Sequence, residues 1–251
     1  MREGLRATLA VSAGFWCALG EMLRSCAARL RMLGALRKDE HWPARNLGPA
    51  LRWFSSEKDF CLPNPSWSED LRHLFHQFMK KCEDGSWTYI SEKEMLDLQK
   101  KASELSFQNV KPMKKKQFPS TLTRNFQEGL GFEYAMFYNK DERRIVCLFQ
   151  GGPLLQGFPG LLHGGAIVTM VDYSISILST KTIGFTMTAY INITYKRPIP
   201  IGSVVVINGQ VDKIEERKVF LSSSVHSADE KTLYSEATSL FVQLNLEKSE
   251  T

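Results

Sequence analysis

The stretch HGGAIVTMVDYSISILS, residues 163–179, decides the fold of this chain. After His163 and two glycines it is almost wholly apolar, and its one charged side chain is Asp172. The apolar run is longer than most strands, so its length favours a helix. An apolar helix without a polar face has to be covered nearly all round. We therefore predict a central helix over about 164–179, with a sheet wrapped around it.

Strand-like segments flank this helix on both sides and are separated by turn residues. Antiparallel strands joined by short turns around one helix indicate an α+β fold. The predicted strands before the helix are 120–127, 130–139 and 143–150, and those after it are 184–197, 203–214, 217–227 and 232–244.

Two features at the central helix indicate a site. Burying the Asp172 carboxylate costs several kcal/mol, which either a structural partner on a neighbouring strand or a catalytic task must offset. Gly164 and Gly165 expose backbone N–H groups that, with the helix dipole, can hold a carbonyl oxygen as it becomes an oxyanion. His163 alone is more often a helix-entry or core histidine, and only the combination HGG-x6-D is specific.

These residues, together with the following strand MTAYINITYKRPIP (187–200), resemble the hotdog-fold acyl-coenzyme A thioesterases. The resemblance implies a hotdog fold that hydrolyses medium- to long-chain fatty acyl-CoA without a metal or other cofactor. It also implies a homodimer or higher homo-oligomer with each site between two protomers. Further stretches extend the resemblance over most of residues 55–247: PNPSW (63–67), QFMKKCEDGSW (77–87), GFEYAMFYN (131–139) and CLFQGGP (147–153).

The resemblance assigns a role to each catalytic candidate. Asp172 acts as general base on water or as nucleophile, and the N–H of Gly165 polarises the thioester carbonyl while His163 shapes the turn. A hydroxyl from the next strand assists, with Thr188 as the candidate and Thr186 as the reserve. Many relatives carry an asparagine a few residues before the histidine, a region that Gln156 occupies here.

Coenzyme A carries three phosphate groups, so an enzyme of this class needs local cations and hydroxyls. Two basic pairs lie at strand ends, and in related enzymes residues at similar positions contact the nucleotide. The alternative is that these pairs are ordinary charged residues at the ends of strands. The substrate-binding candidates are Gly164, Thr194, Lys196, Arg197, Arg217, Lys218 and Ser222.

The resemblance also carries a function of another class, because a relative is described as a regulator that binds the carboxyl-terminal region of the kinase Akt. The docking region would be residues 55–115, outside the catalytic fold. A hotdog dehydratase or hydratase is the weaker third interpretation, since those enzymes generally use a different arrangement of Asp and His.

The region before the sheet divides into two predicted parts. Residues 1–54 form a leader, and residues 55–117 form a helical extension and linker before the hotdog domain at 118–247. Apolar spacing predicts a helix over 67–83 that begins with a capping box at Ser66–Glu69, and a weaker helix follows over 92–105. The lysine run at 114–116 is interpreted as a solvated linker.

Charge and cysteine content exclude several classes of protein. The net charge of +5 comes from residues 1–54, with nine Lys and Arg against four Asp and Glu, while the rest is balanced. A balanced body does not favour nucleic acid as a partner. The five cysteines form no CxxC pair or Cys/His cluster, so no metal site is predicted.

The leader is typical of mitochondrial import, to the matrix or the inner membrane. Residues 22–38 contain four arginines among Leu, Ala and Met and no acidic residue, and Arg52 precedes a predicted cleavage after Phe54. A secretory signal over 1–20, a start at Met22, and a cytosolic or plasma-membrane pool are the alternatives. The apolar run there is too short to span a bilayer, although peripheral membrane contact stays open.

Overall fold

The structure is a computed structural model, and it describes residues 61–104 and 122–244, with the side chains of 99, 100 and 102–104 left aside. Several predictions fall outside these residues: the leader at 1–54 with its cleavage after Phe54, the lysines at 114–116, and the ends of the domains at 55, 117 and 247. They stay predictions, as does the division into domains.

The described residues contain three α-helices, all close to the predicted positions. They are α1 (Glu69–Cys82), α2 (Glu92–Glu104) and α3 (Gly164–Ile183). The cap of α1 differs from the prediction: Ser68 accepts from the Leu71 N–H, whereas Ser66 bonds to the Asn64 side chain. The central helix α3 is also longer than predicted, because the chain stays helical until Gly184, whose φ of 92° ends it.

The strands form one antiparallel sheet that confirms the predicted α+β hotdog architecture. Its strand order within the described residues is β1-β2-β3-β5-β6-β7-β4, so β1 and β4 are the edges. The strands are β1 (Thr88–Ile90), β2 (Phe132–Asn139), β3 (Arg144–Gly151), β4 (Thr186–Tyr195), β5 (Val204–Glu215), β6 (Lys218–Ser227) and β7 (Leu233–Gln243).

Two segments differ from the predicted strands. Strand β1, which pairs with β2, lies in the predicted helical extension and was not expected. In place of a strand at 120–127, residues Leu122–Arg124 form a single 3-10 turn. That segment is held by side chains instead of a backbone ladder, because the Thr123 hydroxyl bonds to Tyr134 and Arg124 stacks on the Tyr134 ring.

Helix α3 packs on one face of the sheet, here called the inner face. Its apolar side chains, among them Met170, Val171, Ile175 and Leu178, are fully buried against inner-face residues of β2, β3, β5, β6 and β7. The helix also has a half-exposed stripe at Gly165, Thr169, Asp172, Ser176 and Thr180. This three- to four-residue spacing puts Gly165 and Asp172 on the same side of the helix.

The opposite, outer face of the sheet is covered over only half its width. Helix α1 lies on the outer sides of β1, β2, β3 and the start of β5, where aromatic rings such as Phe75, Phe78 and Phe137 pack edge to face or tilted. The buried Glu133 carboxylate accepts from Asn64, Trp67 and Gly129, which ties the segment before α1 to β2. Over β6, β7 and β4 the outer side chains are exposed or half-buried.

Strand β4 is the most exposed element of the sheet. Pairing with β7 places Thr188, Ile191, Ile193 and Tyr195 on the inner face, and Met187, Tyr190, Asn192 and Thr194 on the outer face.

Among the described helices, none combines the length and the apolar character needed to cross a membrane.

Candidate active site

The start of α3 is built from His163 and the two glycines that follow it. His163 has extended backbone geometry and is the N-cap, with its Nδ1 accepting from the Gly165 N–H at 2.9 Å. A Cβ on Gly165 would lie 2.9 Å from that same Nδ1, and one on Gly164 would lie 3.3 Å from the Tyr195 ring. A side chain at 165 would therefore push the imidazole aside, whereas one at 164 would need the Tyr195 ring to give by a few tenths of an ångström.

Asp172 lies in the second to third turn of α3, as the sequence predicts, and is half-buried. Thr188 Oγ1 donates to Asp172 Oδ1 at 2.9 Å, which fixes the carboxylate against β4. Within the described residues, Oδ2 accepts no hydrogen bond, so this oxygen is available to water. The reserve residue Thr186 does not reach Asp172, because its hydroxyl donates to Ser179 instead.

The glycine turn and Asp172 do not meet within one protomer. Eight residues of helix separate Gly164 from Asp172, which corresponds to about 12 Å along the axis. Each of them contacts a different residue of β4, the edge strand: Gly164 contacts Tyr195, and Asp172 contacts Thr188. Within one chain the backbone donors and the carboxylate are therefore two separate candidate groups.

A groove of about 720 Å³ opens beside the glycine turn. It is lined by the start of α3, the end of β4 and the loop before the helix, with His163, Tyr195, Arg197 and Phe158 around its mouth. Phe158 is exposed, and Gln156 accepts from the Gly160 N–H to hold the loop in shape. The Gln156 side-chain oxygen is thus bonded within the loop itself.

The substrate-binding candidates divide between the two faces of the sheet. Gly164 and Arg197 line the groove on the inner side, and Lys196 touches it as well. Lys196 nevertheless pairs with Glu236 at 3.1 Å on the outer side. Strand register places Thr194, Lys218 and Ser222 on the outer face, where Ser222 donates to Asp212 at 2.7 Å.

The two basic pairs lie at opposite ends of the sheet in one protomer. Lys196 and Arg197 follow the end of β4, whereas Arg217 donates to the Gln243 carbonyl, opposite the start of β4 at Thr186. The length of β4 puts these pairs roughly 30 Å apart at 3.3 Å per residue. They cannot bind the phosphates of one coenzyme A within a single chain.

Tyr195 is a part of the site that sequence reasoning missed. Its hydroxyl donates to the Gly164 carbonyl at 2.9 Å, a contact between residues 31 positions apart in the sequence. The only available signal was its inward position on the predicted strand, which register alone determines.

Comparison with known proteins shows the family to which the chain belongs. The thioesterase superfamily model matches residues 159–234, which span the glycine turn, Asp172 and Tyr195. Acyl-coenzyme A thioesterase THEM4 of Bos taurus is 54% identical over 92% of this chain and 100% of its own length. The chain belongs to the acyl-coenzyme A thioesterases of this superfamily.

Two further proteins are similar to this thioesterase over less of its length. Acyl-coenzyme A thioesterase THEM5 of Homo sapiens is 35% identical over 76% of this chain and 77% of its own. A Streptococcus mutans structure with bound acetyl-CoA is 16% identical, with a TM-score of 0.42, covering 50% of this chain and 98% of that one. In the part of this thioesterase that the structure describes, no group of His, Cys, Asp and Glu is arranged to hold a metal ion.

Proposed function

We propose that this protein hydrolyses medium- to long-chain fatty acyl-CoA to a free fatty acid and coenzyme A, with Asp172 as the base. The observation that carries the proposal is the half-exposed Asp172 carboxylate, held at one oxygen by Thr188 and available at the other. Identity of 52–54% to enzymes named acyl-coenzyme A thioesterases supports the reaction class.

The proposed reaction needs only groups of the protein and water. The thioester carbonyl oxygen lies at the backbone donors of the glycine turn, where the helix dipole stabilises the negative charge that develops on it. Asp172 takes a proton from a water molecule, which attacks the carbonyl carbon, and the C–S bond then breaks. The thiolate leaves readily because an ordinary thiol has a pKa of about 8.5.

The separation of the glycine turn from Asp172 supports a site shared by two protomers. We propose an antiparallel pairing of β4 with its copy, because a long exposed edge strand is a template for pairing. On β4, Tyr195 is the residue that contacts the glycine turn, and Thr188 is the residue that contacts Asp172. A two-fold axis near Asn192, about midway between them, places Thr188 of one protomer beside Tyr195 of the other. Asp172 then faces the glycine turn of the partner subunit.

The same axis supports the assignment of the basic pairs. It moves Lys196 and Arg197 of one protomer to the end of the sheet that carries Arg217 and Lys218 of the other. Arg197 of one protomer, which lines the groove, and Arg217 of the other would then lie near one nucleotide, whereas Lys218 faces the outer side and Lys196 pairs there with Glu236.

The test is release of free thiol from a series of acyl-CoAs, comparing the full chain with Asp172→Asn. We expect turnover to fall at least a thousandfold in the variant, because the amide cannot accept a proton from water. The matched control is Asp141→Asn, since Asp141 lies in the exposed turn between β2 and β3 and should keep full activity. Normal hydrolysis by Asp172→Asn would overturn the proposal, and the series gives the preferred chain length.

Kinase binding and mitochondrial import stay separate proposals that rest on the sequence. For Akt, the proposed docking region at 55–115 includes α1, β1 and α2, which pack on the sheet. Deleting them would uncover the outer apolar face, so binding should be tested with the full chain. For import, the mass of the protein isolated from mitochondria tests cleavage after Phe54.

A further inference from the structure

The peptide unit that joins Gly164 to Gly165 is held at both of its polar ends. Its carbonyl oxygen accepts from the Tyr195 hydroxyl at 2.9 Å, and its N–H donates to His163 Nδ1 at 2.9 Å. The two contacts come from opposite sides, one from the end of β4 and one from the residue before the helix. The orientation of this peptide is therefore set by side chains as well as by the helix.

The two ends of a peptide unit are electronically linked. Resonance couples the C=O and the N–H, so a hydrogen bond to the carbonyl makes the N–H a stronger donor. The Gly164 carbonyl already takes part in the first turn of α3, and the Tyr195 hydroxyl adds a second donor to it. The N–H that gains from this is that of Gly165, the donor assigned to the thioester carbonyl.

The chemistry of Tyr195 suits a permanent donor. Partial burial raises its pKa above the ordinary value, so the hydroxyl keeps its proton throughout the neutral range. The tyrosine also lies close to Gly164, where an added Cβ would be 3.3 Å from the ring, a tight contact. Contact and hydrogen bond thus act on the same peptide.

We propose that Tyr195 is a positioning residue that orients and polarises the Gly164–Gly165 peptide for the carbonyl oxygen of the substrate. His163 Nδ1 occupies the Gly165 N–H in the free protein, and the substrate oxygen takes its place on binding. The proposal rests on the proposed function, since it deepens the role of that same turn. Tyr195 acts through the peptide and does not touch the reacting atoms.

The first experiment observes the peptide itself, without substrate. The full chain is labelled with ¹⁵N-glycine, and the Gly165 amide signal is assigned by its loss in Gly165→Ala. In Tyr195→Phe the Gly165 amide signal should move, because the hydrogen bond to its own peptide is gone while the ring remains. Tyr234→Phe is the matched control, a half-buried tyrosine on β7 whose hydroxyl has no hydrogen bond in the described residues, and it should leave that signal in place.

The second experiment measures acyl-CoA hydrolysis by the same variants. Loss of one polarising hydrogen bond should lower kcat about tenfold in Tyr195→Phe with KM little changed, because the bond matters most as charge develops. An unchanged kcat would overturn the proposal, and so would a Gly165 signal that stays in place. A rise in KM alone would also overturn it, since it would mean that Tyr195 only lines the groove.

The two measurements separate this proposal from the proposed function. If the wild-type chain hydrolyses no acyl-CoA, the proposed function fails, yet the amide signal still tests the contact between Tyr195 and the peptide. If the wild-type chain is active and Asp172→Asn is not, normal kinetics in Tyr195→Phe would reject only the positioning role.

Discussion

Strands β2 and β4, near the two ends of this sheet, differ in how far the rest of the chain covers them. Every residue of β2 is buried, because α3 covers its inner face and α1 covers its outer face. Most residues of β4 are exposed, including Met187 at 57% and Tyr190 at 49%. The β2 end is covered on both faces within one chain, whereas the β4 end has an uncovered outer face and a long, exposed edge strand.

The difference separates the contacts that stabilise the fold from the groups of the candidate active site. The β2 end holds the paired aromatic rings and the buried Glu133 contacts, which stabilise the fold. The β4 end holds Asp172 with Thr188, the glycine turn with Tyr195, and the groove. Substitutions at the first end should therefore change the free energy of unfolding, and those at the second should change assembly and turnover.

The largest effect on stability is expected from Phe137→Ala. The Phe137 ring is fully buried between the sheet and α1, within 6 Å of the centroids of Phe75, Phe78 and Tyr89. Its removal leaves a cavity and should lower the free energy of unfolding by about 3–5 kcal/mol. Urea denaturation followed by circular dichroism measures this change.

The matched control uses the other end of the same sheet. Phe220 lies on the uncovered outer face of β6, so Phe220→Ala should cost no more than about 1 kcal/mol. Equal costs for the two variants would contradict the comparison, because they would mean that the outer face of β6 is covered in solution.

An intermediate effect is expected on assembly from Asn192→Lys. Asn192 lies on β4 near the proposed two-fold axis, so the substitution brings two lysines together across the seam, and like charges facing each other are unfavourable. The dimer dissociation constant should rise about tenfold, equivalent to about 1.4 kcal/mol. Sedimentation at several concentrations measures it.

Thr238→Lys is the control for the added charge. Thr238 is paired with Asn192 on β7 and shares its outer face, but it lies one strand away from the edge. Its dimer should remain as tight as that of the wild-type chain. Weakening by both variants alike would instead place the interface on the outer face of the sheet.

Elements with strong periodicity could be predicted from the sequence. The apolar stretch from Gly164 specified α3, and alternating residues with clear turns specified β2, β3 and β4 to β7 to within a few residues. Asp172 was identifiable as a lone carboxylate in that helix. Its contact with Thr188 was implied by the resemblance to the hotdog thioesterases, in which a hydroxyl from the next strand assists.

The elements that depend on tertiary contacts could not be predicted. Strand β1 has three residues and exists because β2 offers it an edge, and Leu122–Arg124 is ordered by Tyr134 instead of by its own pattern. Tyr195 contacts Gly164 only after β4 has packed beside α3. The separation of the two basic pairs likewise follows from strand direction and length, which residue types alone do not show.

The smallest effect is expected from Glu94→Gln, at the completed end. The Lys181 ammonium near the end of α3 forms an ion pair with Glu94 in the first turn of α2 and also lies 5.1 Å from the centre of the Tyr138 ring. The glutamate side chain is partly exposed, so water screens the pair, and its loss should cost about 0.5–1 kcal/mol. Hydrogen exchange of the α2 amides should become faster.

The readouts distinguish this change from those at the β4 end. Glu94 pairs with Lys181 beside the Tyr138 ring of β2, at the other end of the strand order from β4, so the dimer dissociation constant should stay unchanged while exchange in α2 rises. Glu216→Gln in the exposed turn between β5 and β6 controls for loss of one negative charge and should alter neither quantity. If Glu94→Gln weakened the dimer instead, α2 would belong to the interface. The interface would then extend from β4 across α3.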